Sequence, residues 1–346
     1  MSMSDARSRL PQESGRLFLT DGGIETVLIF QDGIALPEFA AFVLLESEEG
    51  RASLRRYFRR YLELAAGTPG AGFVLESPTW RAGVPWGAKL GFDAAAMSRI
   101  NRNAIALMHE LQAEYASRIA SPVVVSGCVG PRGDGYVAGA PMTYADAERV
   151  HRPQVEALAA AGADMITAVT MTTSAEAVGV ARAAARAGRP SAISFTVETD
   201  GRLPSGETLR AAIDAVDADA AEAGREAPAY FMLNCAHPSH FAHVVAELGE
   251  RRARLRGLRA NASRLSHAEL DAATELDPGN PRELGADYAR LKASWPSLRI
   301  LGGCCGTDHR HVAAMAAALI EPRELASGCR VHGAMRVEPF GRRAAR

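Results

Sequence analysis

A chain of 346 residues that is 47% hydrophobic can bury a large core, either as one large barrel or as two domains. Its 39 basic and 40 acidic residues leave a formal charge of −1, which excludes the basic footprint of a nucleic-acid binder or of a protein held on an anionic membrane. No run approaches the roughly 18 apolar residues needed to span a bilayer, and the start, Met1-Ser2-Met3-Ser4-Asp5-Ala6-Arg7, lacks the apolar stretch of a secretory signal. Small-molecule partners and a cytoplasmic location are therefore expected, and a homo-oligomer is left open.

From the N-terminus onward, short apolar segments alternate with longer Ala/Leu-rich amphipathic stretches, the rhythm of βα units around a parallel sheet. Strands are expected at Leu17 to Thr20, Gly72 to Leu75, Pro122 to Ser126, Asp164 to Ala168, Ser191 to Phe195, Tyr230 to Leu233, Leu255 to Leu258 and Leu298 to Leu301. Helices are expected at Leu54 to Ala66, Ala94 to Ala116, Ala145 to Ala161, Ser174 to Ala187, Thr208 to Ala223, Ser239 to Leu248 and His309 to Ala318. The stretch Asn261 to Leu284, with Asp277-Pro278-Gly279-Asn280-Pro281, reads as a long loop that could cover a substrate. Residues 1–14 and the basic tail 337–346 read as mobile ends, which leaves one domain over 15–336.

Eight such units are the count of a single (βα)8 TIM barrel. A doubly wound open sheet is the competing architecture, but Asp21-Gly22-Gly23-Ile24-Glu25-Thr26 after the first strand lacks the G-x-G-x-x-G spacing of its nucleotide turn. In a barrel all strands end at one mouth. Asp21, Glu76, Cys128, Val169, Glu198, Cys235, Asn261 and Cys304 with Cys305 would then face a common cavity.

The densest chemical signal is Leu301-Gly302-Gly303-Cys304-Cys305-Gly306-Thr307. Adjacent cysteines cannot form an ordinary unstrained disulfide, whereas a glycine-framed turn can aim both sulfurs at one cation. Cys235 follows the apolar run Tyr230-Phe231-Met232-Leu233 with Asn234 between, so it too stands at a strand end. Three thiolates suit tetrahedral zinc and leave a fourth position for substrate, while iron–sulfur clusters usually ask for four. Cys128 and Cys329 sit in no such cluster and read as small buried hydrophobes. His237, His240 and His243 follow Cys235 closely, but their spacing fits a helix starting near Ser239, so they read as packing or solvent-facing. Were the site a structural staple, one of them would be the natural fourth ligand.

Together these segments resemble the zinc-dependent homocysteine S-methyltransferase family over nearly the whole barrel. The resemblance rests on Asp21-Gly22-Gly23 with Thr26, Ser126-Gly127-Cys128-Val129-Gly130-Pro131, Ser194-Phe195-Thr196-Val197 followed by Gly206, Asn234-Cys235, and Gly302-Gly303-Cys304-Cys305-Gly306. It implies a (βα)8 barrel whose zinc is held by Cys235, Cys304 and Cys305 and activates the thiol of homocysteine for methylation, a methionine-forming reaction. It further implies that Asp21 helps hold the amino acid, that the backbone at Gly22 and Gly23 approaches its carboxylate, and that Asn234 lines the site. By itself, Asp21 would equally suit a cap or turn, and Asn234 could simply satisfy nearby backbone groups.

One departure stands out. Relatives end the fourth strand in a glutamate that binds the amino group of homocysteine, and here that position is Val169. Either Glu76 or Glu198 supplies the carboxylate, or the acceptor is another thiol. The methyl donor would be a soluble onium compound such as S-methylmethionine, S-adenosylmethionine or betaine. Trp80 and Tyr136 offer aromatic faces for such a cation, although loop aromatics often only pack, and Trp86 and Trp295 carry less weight.

Overall fold

The computed structural model describes residues 10–319. Eight parallel strands close in sequential order into a barrel: β1 (Phe18–Leu19), β2 (Gly72–Glu76), β3 (Val123–Val129), β4 (Met165–Met171), β5 (Ser191–Phe195), β6 (Tyr230–Asn234), β7 (Leu255–Ala260) and β8 (Ile300–Gly303). Closure is made by β1 pairing β8, with Phe18 beside Ile300 and Leu19 beside Leu301. This is the (βα)8 architecture that the eight apolar segments predict.

Ten α-helices follow one another among the described residues: α1 (Glu48–Ala66), α2 (Val84–Lys89), α3 (Ala94–Tyr115), α4 (Tyr144–Ala160), α5 (Ser174–Arg186), α6 (Leu209–Glu222), α7 (Pro238–Glu247), α8 (His267–Ala272), α9 (Pro281–Ser294) and α10 (His309–Leu319). Their starts follow capping chemistry: Ser47, Asp93, Thr143, Thr173 and Thr208 each accept a hydrogen bond from a backbone N–H in the first turn. In α1, Leu54, Tyr57, Phe58, Tyr61, Leu62 and Ala65 repeat at three- and four-residue intervals and bury one face against the barrel.

Two expectations need correction. The stretch 261–284 is not a structureless loop, because Ser266 and Glu269 form a capping box that starts α8, and Asn280 with Pro281 starts α9. Of the segment 1–14, residues 1–9 lie outside the described residues. Pro11–Ser14, by contrast, form a 3-10 turn with Leu10 and Gln12 buried under the barrel, where Gln12 Nε2 donates to Tyr230 Oη at 3.3 Å. Burial of a polar amide with a partner holds this turn in place. The tail 337–346, Cys329 and the domain's end at 336 also lie outside the described residues. Among those described, no helix is long and apolar enough to cross a membrane.

Candidate active site and metal centre

The mouth is shaped by backbone that leaves the regular strand conformation where the chemistry sits. Within β4 the pairing to β5 shifts register between Ala168 and Met171, and Thr170 adopts φ 63°. Cys235, just past β6, adopts φ 58°. A left-handed conformation is costly for any residue other than glycine and persists only where neighbours over-determine it. Asn234 is that neighbour for Thr170. Its Oδ1 accepts from Thr170 N at 2.8 Å and from Ser194 Oγ at 2.6 Å, and its Nδ2 donates to Thr170 Oγ1 at 2.7 Å. This buried amide therefore ties together the ends of β4, β5 and β6.

Cys235, Cys304 and Cys305 converge, with their sulfurs all within 4.8 Å of one another. Cys235 Sγ and Cys305 Sγ are 3.4 Å apart. Tetrahedral thiolates ~2.3 Å from one zinc ion stand roughly 3.8 Å from each other, so the trio fits one face of such a site. Hydrogen bonds from Cys235 and Cys305 hold the Cys304 thiol well below the usual range, while Cys235, donating to its two neighbours and buried, is pushed well up. The nearby histidines turn away. His237 Nδ1 pairs with Ser239 Oγ at 2.8 Å, and His240 Nε2 with the Arg264 carbonyl at 2.9 Å. Among the described residues the cysteines stand as a group of three, with no histidine or carboxylate completing them.

The opening turn after β1 packs directly on this centre. A Cβ at Gly23 would stand 2.6 Å from the Cys304 carbonyl oxygen, and one at Gly22 would stand 2.7 Å from Tyr61 Oη, so both glycines are required by close packing. Thr26 Oγ1 accepts from Gly306 N at 3.0 Å and so ties the turn to the cysteine loop.

Sequence reasoning missed Arg259 altogether, since it lies one residue past the expected end of the seventh strand. Its guanidinium is buried and bridges Asp21 Oδ1 and Glu76 Oε2, each at 2.7 Å, while also donating to the Gly22 and Gly303 carbonyls at 3.1 Å. Burial opposes the charge, but Asp21 and Glu76 outweigh it and keep Arg259 cationic. Asp21 Oδ2 is taken by Tyr57 Oη at 2.8 Å. Both of its oxygens are thus engaged within the protein. Burial pushes Glu76 up to about 7, with Arg259 opposing.

The remaining expected residues are distributed as follows. Val169, Cys128 and Trp80 line the same pocket, of about 100 Å³, as the cysteines, Asp21, Gly22, Gly23, Thr26 and Glu76. Glu198 does not line it and pairs with His267 Nδ1 at 3.0 Å. Asn261 donates to the Cys235 carbonyl at 3.0 Å. Tyr136 reaches the cysteines, its hydroxyl 3.3 Å from Cys305 Sγ and 3.5 Å from Cys235 Sγ, its ring stacked 4.1 Å from that of His267. Trp86 carries the Arg81 guanidinium and the Lys89 ammonium, each 4.0 Å from its ring, and Trp295 is buried with its Nε1 on the Leu255 carbonyl, so neither lines the pocket. Glu25, in the middle of the opening motif, lines the pocket and was overlooked by sequence reasoning, although its place four residues after Asp21 marks it.

Comparison with known proteins agrees with this geometry. The sequence profile of the family described as Homocysteine S-methyltransferase matches residues 18–319. The fold is similar to that of the homocysteine methyltransferase MmuM from Escherichia coli. Its oxidized form gives a TM-score of 0.71 at 21% identity, covering 89% of this chain and 99% of that one. Its metallated form gives a TM-score of 0.66 at 20% identity, covering 88% and 96%. Comparison with curated proteins returned no match. With its barrel, its cysteine trio and a family profile that spans nearly all of the described residues, the chain belongs to the homocysteine S-methyltransferase family and is an S-methyltransferase.

Proposed function

We propose that this enzyme methylates the thiol of homocysteine, giving methionine, with a soluble onium compound as donor and Zn²⁺ as its metal. The observation that carries the reading is the convergence of Cys235, Cys304 and Cys305 in the mouth pocket. Zinc, when bound there, supplies the acidity that converts a thiol, with an ordinary pKa of about 8.5, into a nucleophilic thiolate at neutral pH. Three cysteines without a fourth protein ligand support an open position, as catalytic sites have.

The protein's own groups orient and exclude. The Asn234 clamp holds Thr170 in its left-handed conformation beside the cysteines, while Cys235 is held by its N–H on the Arg259 carbonyl and by Asn261 and His267 on its own carbonyl. Arg259 gathers Asp21 and Glu76 into one buried array and so keeps the wall of the pocket rigid and dry. Tyr136, steadied by the stacked His267, donates its hydroxyl to the Cys305 sulfur. One face of Trp80 already carries Arg81, 4.7 Å from its ring, so an onium donor would use another face of the pocket wall. Free thiols at the site suit a reducing compartment, in line with a cytoplasmic enzyme.

The test is direct. Purified protein loaded with Zn²⁺ is incubated with homocysteine and, separately, S-methylmethionine, S-adenosylmethionine or betaine, and methionine is followed by mass spectrometry. Methionine formation that needs zinc and one of these donors is expected. Full metal occupancy with no methylated thiol from any donor would overturn the reading.

A further inference from the structure

Resting on that reading, the pocket raises the question of which group receives the cationic end of the substrate. Two of its carboxylates are spoken for. Asp21 is held by Arg259 and Tyr57, and Glu76 by Arg259. The position where the family carries its glutamate offers only the isopropyl group of Val169, whose backbone carbonyl is capped by Trp80 Nε1 at 3.4 Å.

Glu25 is different. It opens the π-helical turn Thr26–Gln31 that follows β1, half-buried, and lines the same pocket as Cys304 and Cys305 from the β1 side. Among the described residues no ion pair or side-chain hydrogen bond engages its carboxylate. The charges facing it are the Cys304 sulfur, Asp21 and Arg81, and burial pushes it up to about 7. Its own backbone N–H and the nearby Arg81 offset that burial only in part, and a ligand's ammonium would remove more of the desolvation cost. Arg81, stacked on Trp80 and Trp86, is itself taken by the Glu38 carbonyl and by Asp134 Oδ2 at 3.7 Å, so it only partly offsets the Glu25 carboxylate.

We infer that Glu25 binds the α-ammonium of an amino-acid thiol, taking over from the β1 side the recognition that Val169 cannot provide from the β4 side. The enzyme then still selects an amino acid, with its ammonium directed toward the opening turn.

The test compares homocysteine with 4-mercaptobutanoate, the same thiol acid without the amino group, on metal-loaded full-length protein. Binding is read by calorimetry and by the thiolate-to-metal absorption of the cobalt(II) form, with melting and metal content checked for each variant. In the wild type homocysteine should bind more tightly. Glu25→Gln should weaken homocysteine by about tenfold or more and leave 4-mercaptobutanoate within about twofold, because a charge-assisted hydrogen bond is lost only by the ligand that has the donor. Equal weakening of both thiols, or of neither, would overturn the inference while leaving the methyltransferase reading in place. A loss confined to betaine, a quaternary cation with no N–H, would assign Glu25 to the donor and also overturn it. Failure of every thiol to perturb the cobalt spectrum of the wild type would remove both.

Discussion

At the floor of the barrel Phe18, Val74, Val124, Met165, Tyr230 and Ile300 interlock as a buried cluster, with Gln12 as its one amide. At the mouth the same strands end in Asp21, Glu76, Asn234, Cys235, Arg259 and Cys304, with backbone turned left-handed at Thr170 and Cys235. The same strands thus serve opposite purposes at their two ends. The floor is held by non-directional apolar burial, which tolerates imprecise partners. The mouth is held by directional pairs, each of which leaves an uncompensated buried group when its partner is removed. Stability and chemistry can therefore be perturbed separately, as expected of this architecture.

The sharpest break should come from the metal centre. Cys304→Ser is expected to lower zinc content from one per chain to near zero and to cut turnover by at least about a thousandfold, with little change in the melting of metal-free protein. Elemental analysis, kinetics and calorimetry check it; retention of full zinc content would show that the trio is not the metal site.

Next in size is a matched pair, one variant from each end. Phe18→Ala at the floor and Arg259→Met at the mouth should each cost about 3–5 kcal/mol in urea unfolding, the first by a cavity and the second by stranding Asp21 and Glu76. Only Arg259→Met should also raise the KM for the thiol. If Phe18→Ala raises it equally, the two ends are not separable.

A smaller effect is a pH slope. The folded state keeps the Glu76 proton up to about 7, whereas the unfolded chain gives it up near 4.5. The unfolded chain therefore binds fewer protons between these values, so this group's contribution to stability is full below about 4.5 and is lost as pH rises to 7. Glu76→Gln should flatten that part of the profile in denaturant titrations at several pH values. An unchanged slope would mean that Arg259 keeps Glu76 ionised throughout.

Smallest of all, Cys128→Ala should leave zinc at one per chain and shift stability by no more than about 1 kcal/mol, since Cys128 is buried outside the trio. Loss of zinc in this variant would place a fourth thiol at the centre.

Much of this molecule could be read from local pattern. The fifth strand is found at Ser191–Phe195 as the apolar run predicts, and adjacent Cys304 and Cys305 carry their chemistry within two positions of the chain. Helix caps and glycine-framed turns are likewise local, because the atoms that bond lie within four residues of one another. Arg259, in contrast, reads in sequence as one more charge in Leu255-Arg256-Gly257-Leu258-Arg259-Ala260, and nothing local distinguishes it from Arg256. Its partner Glu76 lies 183 residues away, and the Gly22 carbonyl 237. The stacking of Tyr136 on His267 is equally remote, and Glu25 gains meaning only once β1 closes on β8 beside the cysteine loop. Sequence by itself determined the alternation of strands and helices and singled out the three cysteines that converge at the mouth, because periodicity and adjacency are properties of neighbouring residues. Which charges share the pocket, and which carboxylate is left for a substrate, was decided by barrel closure, because only closure sets the distances between strand ends that the chain keeps far apart.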